Sequence, residues 1–245
     1  MSSEGFRTVI ITGGGYGIGR ATSLALAAEG WKIAIVDRDG ARARETEALV
    51  REAGGVARAF ECDVTDARAA EAIVEDLDRT SGPVKGLVTC AAMRHAGPIT
   101  AITGEQWDET VGVILKGVFV YCKAVIARMI PGGGGTIVNV SSPDAYGRKG
   151  MVAYASAKAA VNALSLCLAA DHLADRIRVN VVLPAFTLSG MTEHYSDDRL
   201  QEVADRSASG RVATPDDPAQ LIRFLLSPAG ETFTGGIFGA RRLPT

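Results

Sequence analysis

Soft metal ligands are scarce in this 245-residue sequence, which has three histidines and four cysteines. None of Cys62, Cys90, Cys122 and Cys167 stands in a CxxC pair. A chain of this length needs no covalent staples, so the thiols are expected to be reduced, the protein cytoplasmic, and no metal site is expected. An excess of either charge sign is also missing: 26 Lys and Arg face 28 Asp and Glu, a formal charge of -2 with a pI near 6.0. Nothing global draws the chain to phosphate backbones or anionic membranes, and no nucleic-acid partner is expected. No run of 18 apolar residues is uninterrupted, so no membrane span is expected. The opening Met1-Ser2-Ser3-Glu4-Gly5 has neither the basic nor the apolar stretch of a secretory signal.

Apolar side chains are abundant at 47%, enough for a large core, and residues 1–245 read as one domain without linker or repeat. Short β-branched runs alternate with helical patterns, which predicts βαβ crossovers and a parallel sheet. Strands are expected at Val9–Thr12, Ile33–Asp37, Val56–Cys62, Gly86–Cys90, Thr136–Val140, Ile177–Leu183 and Gly236–Gly239. Most are continuously apolar, so helices should cover both faces of a doubly wound α/β sheet. Those helices are expected at Ile18–Glu29, Ala41–Ala53, Ala67–Ser81, Glu105–Met129, Tyr154–Leu173 and Pro215–Leu226. The segment 185–213 shows no clear period and follows the C-terminal end of a strand, where ligands bind in such sheets; it is a candidate lid.

The first strand ends in Thr12-Gly13-Gly14-Gly15-Tyr16-Gly17-Ile18-Gly19 and enters a helix, so bare backbone and a helix N-terminus would meet a pyrophosphate. G-x-G-x-x-G does not fit, because Ile18 falls where the last glycine belongs; G-x-x-x-G-x-G does. The alternative is a tight strand-to-helix turn needing glycine for its dihedrals. Asp37 ends the second strand 18 residues after Gly19, where a carboxylate accepts from adenosine ribose hydroxyls and repels a 2'-phosphate, favouring NAD over NADP. Two readings oppose this: Arg38 as a phosphate partner, and Asp37 as a cap of the next helix.

Tyr154 and Lys158, four apart at the start of a helix, share one face. An ammonium beside a phenol favours the phenolate, which brings tyrosine toward use as an acid or base near neutral pH. Alone, Y-x-x-x-K is more often an exposed aromatic and a solvated charge. Ser142 ends the strand facing that helix, with a hydroxyl able to bond a reacting oxygen in either oxidation state. A loop-capping role, and competition from Ser141, are its alternatives.

With these residues in place, the chain resembles the compact, single-domain short-chain dehydrogenase/reductases, over essentially its whole length. The resemblance rests on Thr12 to Gly19, Asp63-Val64, Ser142, Tyr154-x-x-x-Lys158, and Arg178-Val179-Asn180 leading to Pro184. It implies a Rossmann-like seven-stranded sheet and metal-free hydride transfer between NAD(H) and a small-molecule secondary alcohol or ketone. It further implies Tyr154 as acid/base, Ser142 as the group positioning the substrate oxygen, and Lys158 as tuning the tyrosine and bonding the nicotinamide ribose. Cofactor contacts follow at Gly13, Gly15, Tyr16, Gly17, Ile18, Gly19, Asp37, Asp63, Val64, Cys90, Ala91, Ala92, Pro184, Thr187 and Ser189. Pairing of Glu105–Met129 and Tyr154–Leu173 between subunits implies a homotetramer, with a dimer as the fallback.

Four departures from the family pattern bear on function. Thr89-Cys90-Ala91-Ala92 replaces Asn-Asn-Ala-Gly, with two new methyl-bearing side chains narrowing the space beside the ribose. Ile114 occupies the place of an asparagine whose backbone carbonyl holds a water near the lysine; the carbonyl remains, but the helix bend and with it the turnover are in question. Pro184-Ala185 replaces Pro-Gly, and the tail through Arg241 and Arg242 lacks the usual acidic-glycine ending. A catalytically weakened NAD-binding module or an assembly protein is the alternative function. Substrate contacts are sought among Met93, Arg94, His95, Ser142, Pro143, Asp144, Tyr146, Met191, His194 and Tyr195.

Overall fold

The computed structural model describes residues 7–188, 190 and 195–240; Ser189, Met191, His194, Arg241 and Arg242 lie outside them. Among the described residues, seven parallel strands form one sheet in the order β3-β2-β1-β4-β5-β6-β7. They are β1 (Thr8–Thr12), β2 (Lys32–Asp37), β3 (Val56–Glu61), β4 (Val84–Thr89), β5 (Gly135–Val140), β6 (Ile177–Leu183) and β7 (Ile237–Gly239). Helices α1 (Gly17–Ala27), α2 (Gly40–Glu52) and α3 (Ala67–Thr80) follow the first three strands. Further on come α4 (Gly104–Val111), α5 (Gly117–Met129), α6 (Val152–Asp171), α7 (Asp197–Asp205) and α8 (Asp216–Leu226).

Successive strand residues point to opposite faces and build two cores. Ile10, Val36, Leu87, Ile137 and Val179 pack with Val74, Val125 and Val161 of α3, α5 and α6. Val9, Ile11, Ile35, Val88 and Val182 pack with Leu26, Val50 and Ile222 of α1, α2 and α8. Strand order reverses at β1, between β2 and β4, so the loops leaving β1 and β4 diverge and open a crevice at their C-terminal ends.

The structure corrects the sequence reading at two places. The helix expected over Glu105–Met129 is two α-helices joined by a π-helical turn, Gly112–Lys116, in which the Gly117 N–H bonds back five residues to the Gly112 carbonyl. Gly117 lies so close to the loop after β3 that a Cβ there would stand 2.7 Å from Val64 Cγ2; the wider turn accommodates that approach. Within 185–213 a helix, α7, is present. Ser196 caps it with Asp197 and Asp198 in its first turn, but only Ala204 is buried, so no apolar period marks it. The helical runs Gly104–Met129 and Val152–Asp171 are, by length and composition alone, apolar enough to cross a membrane, and 56% and 44% of their apolar windows are buried inside the fold. Burial against the sheet accounts for about half of that apolar character.

Candidate active site

The crevice is lined first by the loop leaving β1. Gly13, with φ of 65°, packs so closely on the β4 loop that a Cβ would fall 2.6 Å from Ala91 N. A Cβ on Gly15 would fall 2.9 Å from Asp37 Oδ2, and one on Gly19 would fall 2.1 Å from Gly13 O. Asp39 caps α2 and Asp66 caps α3 with side-chain carboxylates, whereas Tyr16 at the start of α1 supplies no side-chain cap. That N-terminus keeps amides and the positive end of the helix dipole for an anion. A glycine cradle, an uncapped helix start and a carboxylate at the end of β2 together fit a dinucleotide.

Asp37 Oδ2 accepts from Gly15 N–H at 3.0 Å and Oδ1 from Asp39 N–H at 3.0 Å. The cap of α2 is Asp39 and not Asp37, so the capping alternative is not realised, and the Asp37 carboxylate faces the glycine loop. Asp63 is exposed and turned on its own loop, accepting from Thr65 N–H at 2.8 Å and Thr65 Oγ1 at 2.7 Å; those bonds hold its carboxyl below the usual carboxylate range. Val64 is buried in the core. Thr187 is buried, with its hydroxyl donating to Ala185 O at 2.9 Å. Pro184 follows β6, half-buried at the crevice end of the sheet. A cavity of about 530 Å³ opens beside α1, lined by Tyr16, Gly17, Leu188, Tyr195, Leu200 and Pro215 among others.

Ser142, Tyr154 and Lys158 converge. β5 ends at Val140, and Ser142 stands two residues on as the cap of a 3-10 turn, Pro143–Tyr146, its Oγ accepting from Asp144 N–H at 3.1 Å. That acceptance leaves the hydroxyl proton to donate, and the Ser142 side chain is near enough to the Tyr154 phenol to pull its titration down. Ser141 instead donates to the Lys158 backbone carbonyl at 3.1 Å and ties β5 to α6. Lys158 Nζ lies 5.8 Å from the Tyr154 ring centre and donates to Val140 O at 2.7 Å.

Burial dominates the titration of this group. It holds the Tyr154 phenol above its ordinary range, with the Ser142 side chain pulling the other way. It also pushes the Lys158 ammonium down to about 8 and the Cys90 thiol up to about 12. The cations that lower the phenol are Arg94 and Arg148, and the carboxylate that raises it is Asp144. Arg148, which the sequence reading passed over, donates to Asp144 Oδ2 at 3.0 Å.

Two of the departures have structural explanations. Thr89 is a core residue rather than a wall of the ribose space: its hydroxyl donates to Asn139 Oδ1 at 2.8 Å, and Asn139 Nδ2 donates to Ser165 Oγ at 2.9 Å. Ala91 and Ala92 are half-buried and face the core cluster. Ile114 is fully buried and sits inside the π turn. Of the substrate candidates, His95 bonds Glu109 of α4 at 2.8 Å, Tyr146 is exposed, and Tyr195 lies near Arg148.

Comparison with known proteins agrees with this geometry. A family model described as short chain dehydrogenase matches residues 7–200. Short-chain reductase protein NovJ of Streptomyces niveus is 35% identical over 92% of this chain and 89% of its own. The 2-(S)-hydroxypropyl-CoM dehydrogenase 3 of Xanthobacter autotrophicus is 36% identical over 94% and 93%. The crystal structure of actinorhodin polyketide ketoreductase with NADPH superposes with a TM-score of 0.92 at 26% identity, covering 98% of each chain.

Proposed function

The chain belongs to the short-chain dehydrogenase/reductase family and is an NAD(P)(H)-dependent oxidoreductase, and on that premise we propose how its residues divide the reaction. The observation that carries the proposal is the convergence of Ser142 and the Tyr154 phenol, with Lys158 held beside the ring by the Val140 carbonyl. The dinucleotide supplies the hydride acceptor or donor when bound. Tyr154 gives a proton to the substrate oxygen in reduction and takes it in oxidation, and Ser142 donates to the same oxygen and aligns it. Lys158 would hold the ribose and, 5.8 Å from the ring centre, add positive charge near the phenol; the cations that already pull the phenol down are Arg94 and Arg148. The glycine loop and the start of α1 hold the pyrophosphate.

NAD is the preferred cofactor in this reading, because Asp37 places a carboxylate where a 2'-phosphate would come; the ketoreductase structure with NADPH marks the competing possibility within the family. The substrate is a small secondary alcohol or ketone. We take residues 1–245 as one cofactor-binding domain with 185–213 as its lid. Assembly as a homotetramer is supported by apolar side chains left exposed on the two long helices, Phe119 at 51% and Leu166 at 42%; a cytoplasmic location completes the proposal. Oxidation of NADH and NADPH against a panel of neutral ketones, with cofactor binding followed by fluorescence, tests it. Turnover with NADH preferred supports the reading, and binding without turnover supports the weakened module that Ile114 suggested.

A further inference from the structure

Three donors converge on one carbonyl beside the crevice. Gly15 O accepts from Arg20 Nη2 at 2.7 Å, from Arg20 Nε at 3.1 Å and from the Thr46 hydroxyl at 3.2 Å. Arg20 Nε also donates to Thr46 Oγ1 at 3.1 Å, so the two side chains, one from α1 and one from α2, are bonded to each other as well as to the loop. The outer edge of the guanidinium is seated on Glu45, with Nη1 donating to Oε1 at 3.1 Å and Nη2 to Oε2 at 2.8 Å. Thr46 is fully buried, and the Arg20 side chain is 20% exposed.

A cation one residue after Gly19, in the first turn of α1, stands where it could serve a phosphate directly. The geometry turns Arg20 away from that role. Its fork is taken by the Gly15 carbonyl and, bidentately, by the Glu45 carboxylate, which balances its charge. What it holds is a pivot of the glycine loop. Gly15 N–H belongs to one peptide plane and Gly15 C=O to the next; the first is bonded to Asp37 Oδ2 at 3.0 Å and the second to Arg20 and Thr46. Lacking a Cβ, glycine rotates between such planes at little cost, so bonds on both sides are needed to fix the turn. The contact with Asp37 is close enough to transmit a shift, because a Cβ on Gly15 would fall 2.9 Å from Asp37 Oδ2.

We propose that Arg20, seated by Glu45, and Thr46 are positioning residues for the dinucleotide. By fixing the Gly15 carbonyl they keep the Gly15 N–H on the Asp37 carboxylate, which stays aimed at the adenosine ribose and sets the preference for NAD over NADP. A tie between α1 and α2 alone would need only the ion pair. With Glu45 59% exposed, that pair contributes little to stability, so breaking the clamp is read in cofactor discrimination rather than in folding. The inference rests on the Asp37 reading of cofactor preference, and the test separates the two.

NADH and NADPH are titrated into the full chain, with binding followed by cofactor fluorescence, for the wild type, Arg20→Met, Thr46→Val, Thr46→Ser, Asp37→Ser and the double variant Arg20→Met, Asp37→Ser. Thermal denaturation of each confirms that it is folded. In Arg20→Met and Thr46→Val the ratio of the NADPH Kd to the NADH Kd should fall by about tenfold, the scale of one hydrogen bond to a charged group, chiefly through weaker NADH. Thr46→Ser keeps the hydroxyl and should keep the wild-type ratio. With Asp37 already replaced there is no carboxylate to aim, and Arg20→Met should move the ratio by less than about twofold. Where Asp37→Ser shifts the ratio, equal loss of both cofactors in Arg20→Met, or the same shift with Asp37 present and absent, overturns the inference. A ratio unmoved by Asp37→Ser overturns the Asp37 reading instead; the clamp on the loop then stands if NADH binds about tenfold more weakly in Arg20→Met and Thr46→Val than in Thr46→Ser, and falls if it does not.

Discussion

The Lys158 ammonium nitrogen lies 5.8 Å from the centre of the Tyr154 ring and donates a hydrogen bond to the Val140 carbonyl at 2.7 Å. The lysine is thereby held by the end of β5 and one turn of α6 at the same time. Its side chain is aimed before any cofactor arrives.

Holding an ammonium there opposes folding. Lys158 is 3% exposed, and burial lowers it from 10.5 to about 8. Below pH 8 the folded state carries the full penalty of the buried charge, and above 10.5 the penalty is gone in both states. The difference of about 2.5 units corresponds to roughly 3 kcal/mol. Denaturation of the cofactor-free wild type and of Lys158→Met at several pH values should therefore show the wild type gaining on the variant as pH rises through this window. A gap that stays constant with pH would contradict the account.

Adjacent serines should separate cleanly. Ser141→Ala removes a buried bond to the Lys158 carbonyl and should lower stability by about 1 kcal/mol, seen as a shift in the denaturation midpoint. Ser142→Ala should lower kcat by about tenfold to a hundredfold, the scale of a donor to the reacting oxygen, and shift stability less. The reverse pattern would transfer the reacting oxygen to Ser141.

Asp37→Ser should weaken NAD and improve NADP, since it removes the carboxylate at Gly15 and the repulsion of a 2'-phosphate. A tenfold or larger move of the NAD/NADP ratio in kcat/KM is expected. A wild-type enzyme already tenfold better with NADP would refute the assignment.

At Ile114 the side chain is enclosed by apolar neighbours while the π turn persists. Ile114→Asn buries an amide in that cluster and should cost about 1–3 kcal/mol of stability, with kcat changed less than about threefold, because a backbone carbonyl does not need the amide. A large rise in kcat would mean that the natural isoleucine restrains turnover.

Most of the sheet was legible because its strands are continuous apolar runs, and the serine, tyrosine and lysine could be placed because a helix and a strand end have fixed geometry. What depended on distant contacts was not legible. The π turn lies where Gly117 closely approaches Val64, and the Thr89 hydroxyl is directed to Asn139 on the neighbouring strand. Arg148 was hidden because its position follows from the turn at Gly147, with φ of 103°, and from the Gly97–Met151 bridge. Sequence pattern records neither. The net effect on the phenol was likewise missed, since the spacing to Lys158 pointed down while enclosure of the site pushes it up.

Proton transfer by Tyr154 is the central claim, and Tyr154→Phe tests it most directly because only the hydroxyl is removed while the ring still packs against its core neighbours. On a ketone or alcohol turned over by the wild type, kcat of the variant should fall by about a hundredfold or more, with cofactor Kd changed less than about threefold. In the oxidation direction the rise of rate with pH should vanish, its midpoint in the wild type reporting a phenol lifted by burial and pulled down by the neighbouring cations. Near-wild-type turnover in Tyr154→Phe, with the pH dependence retained, would contradict the mechanism.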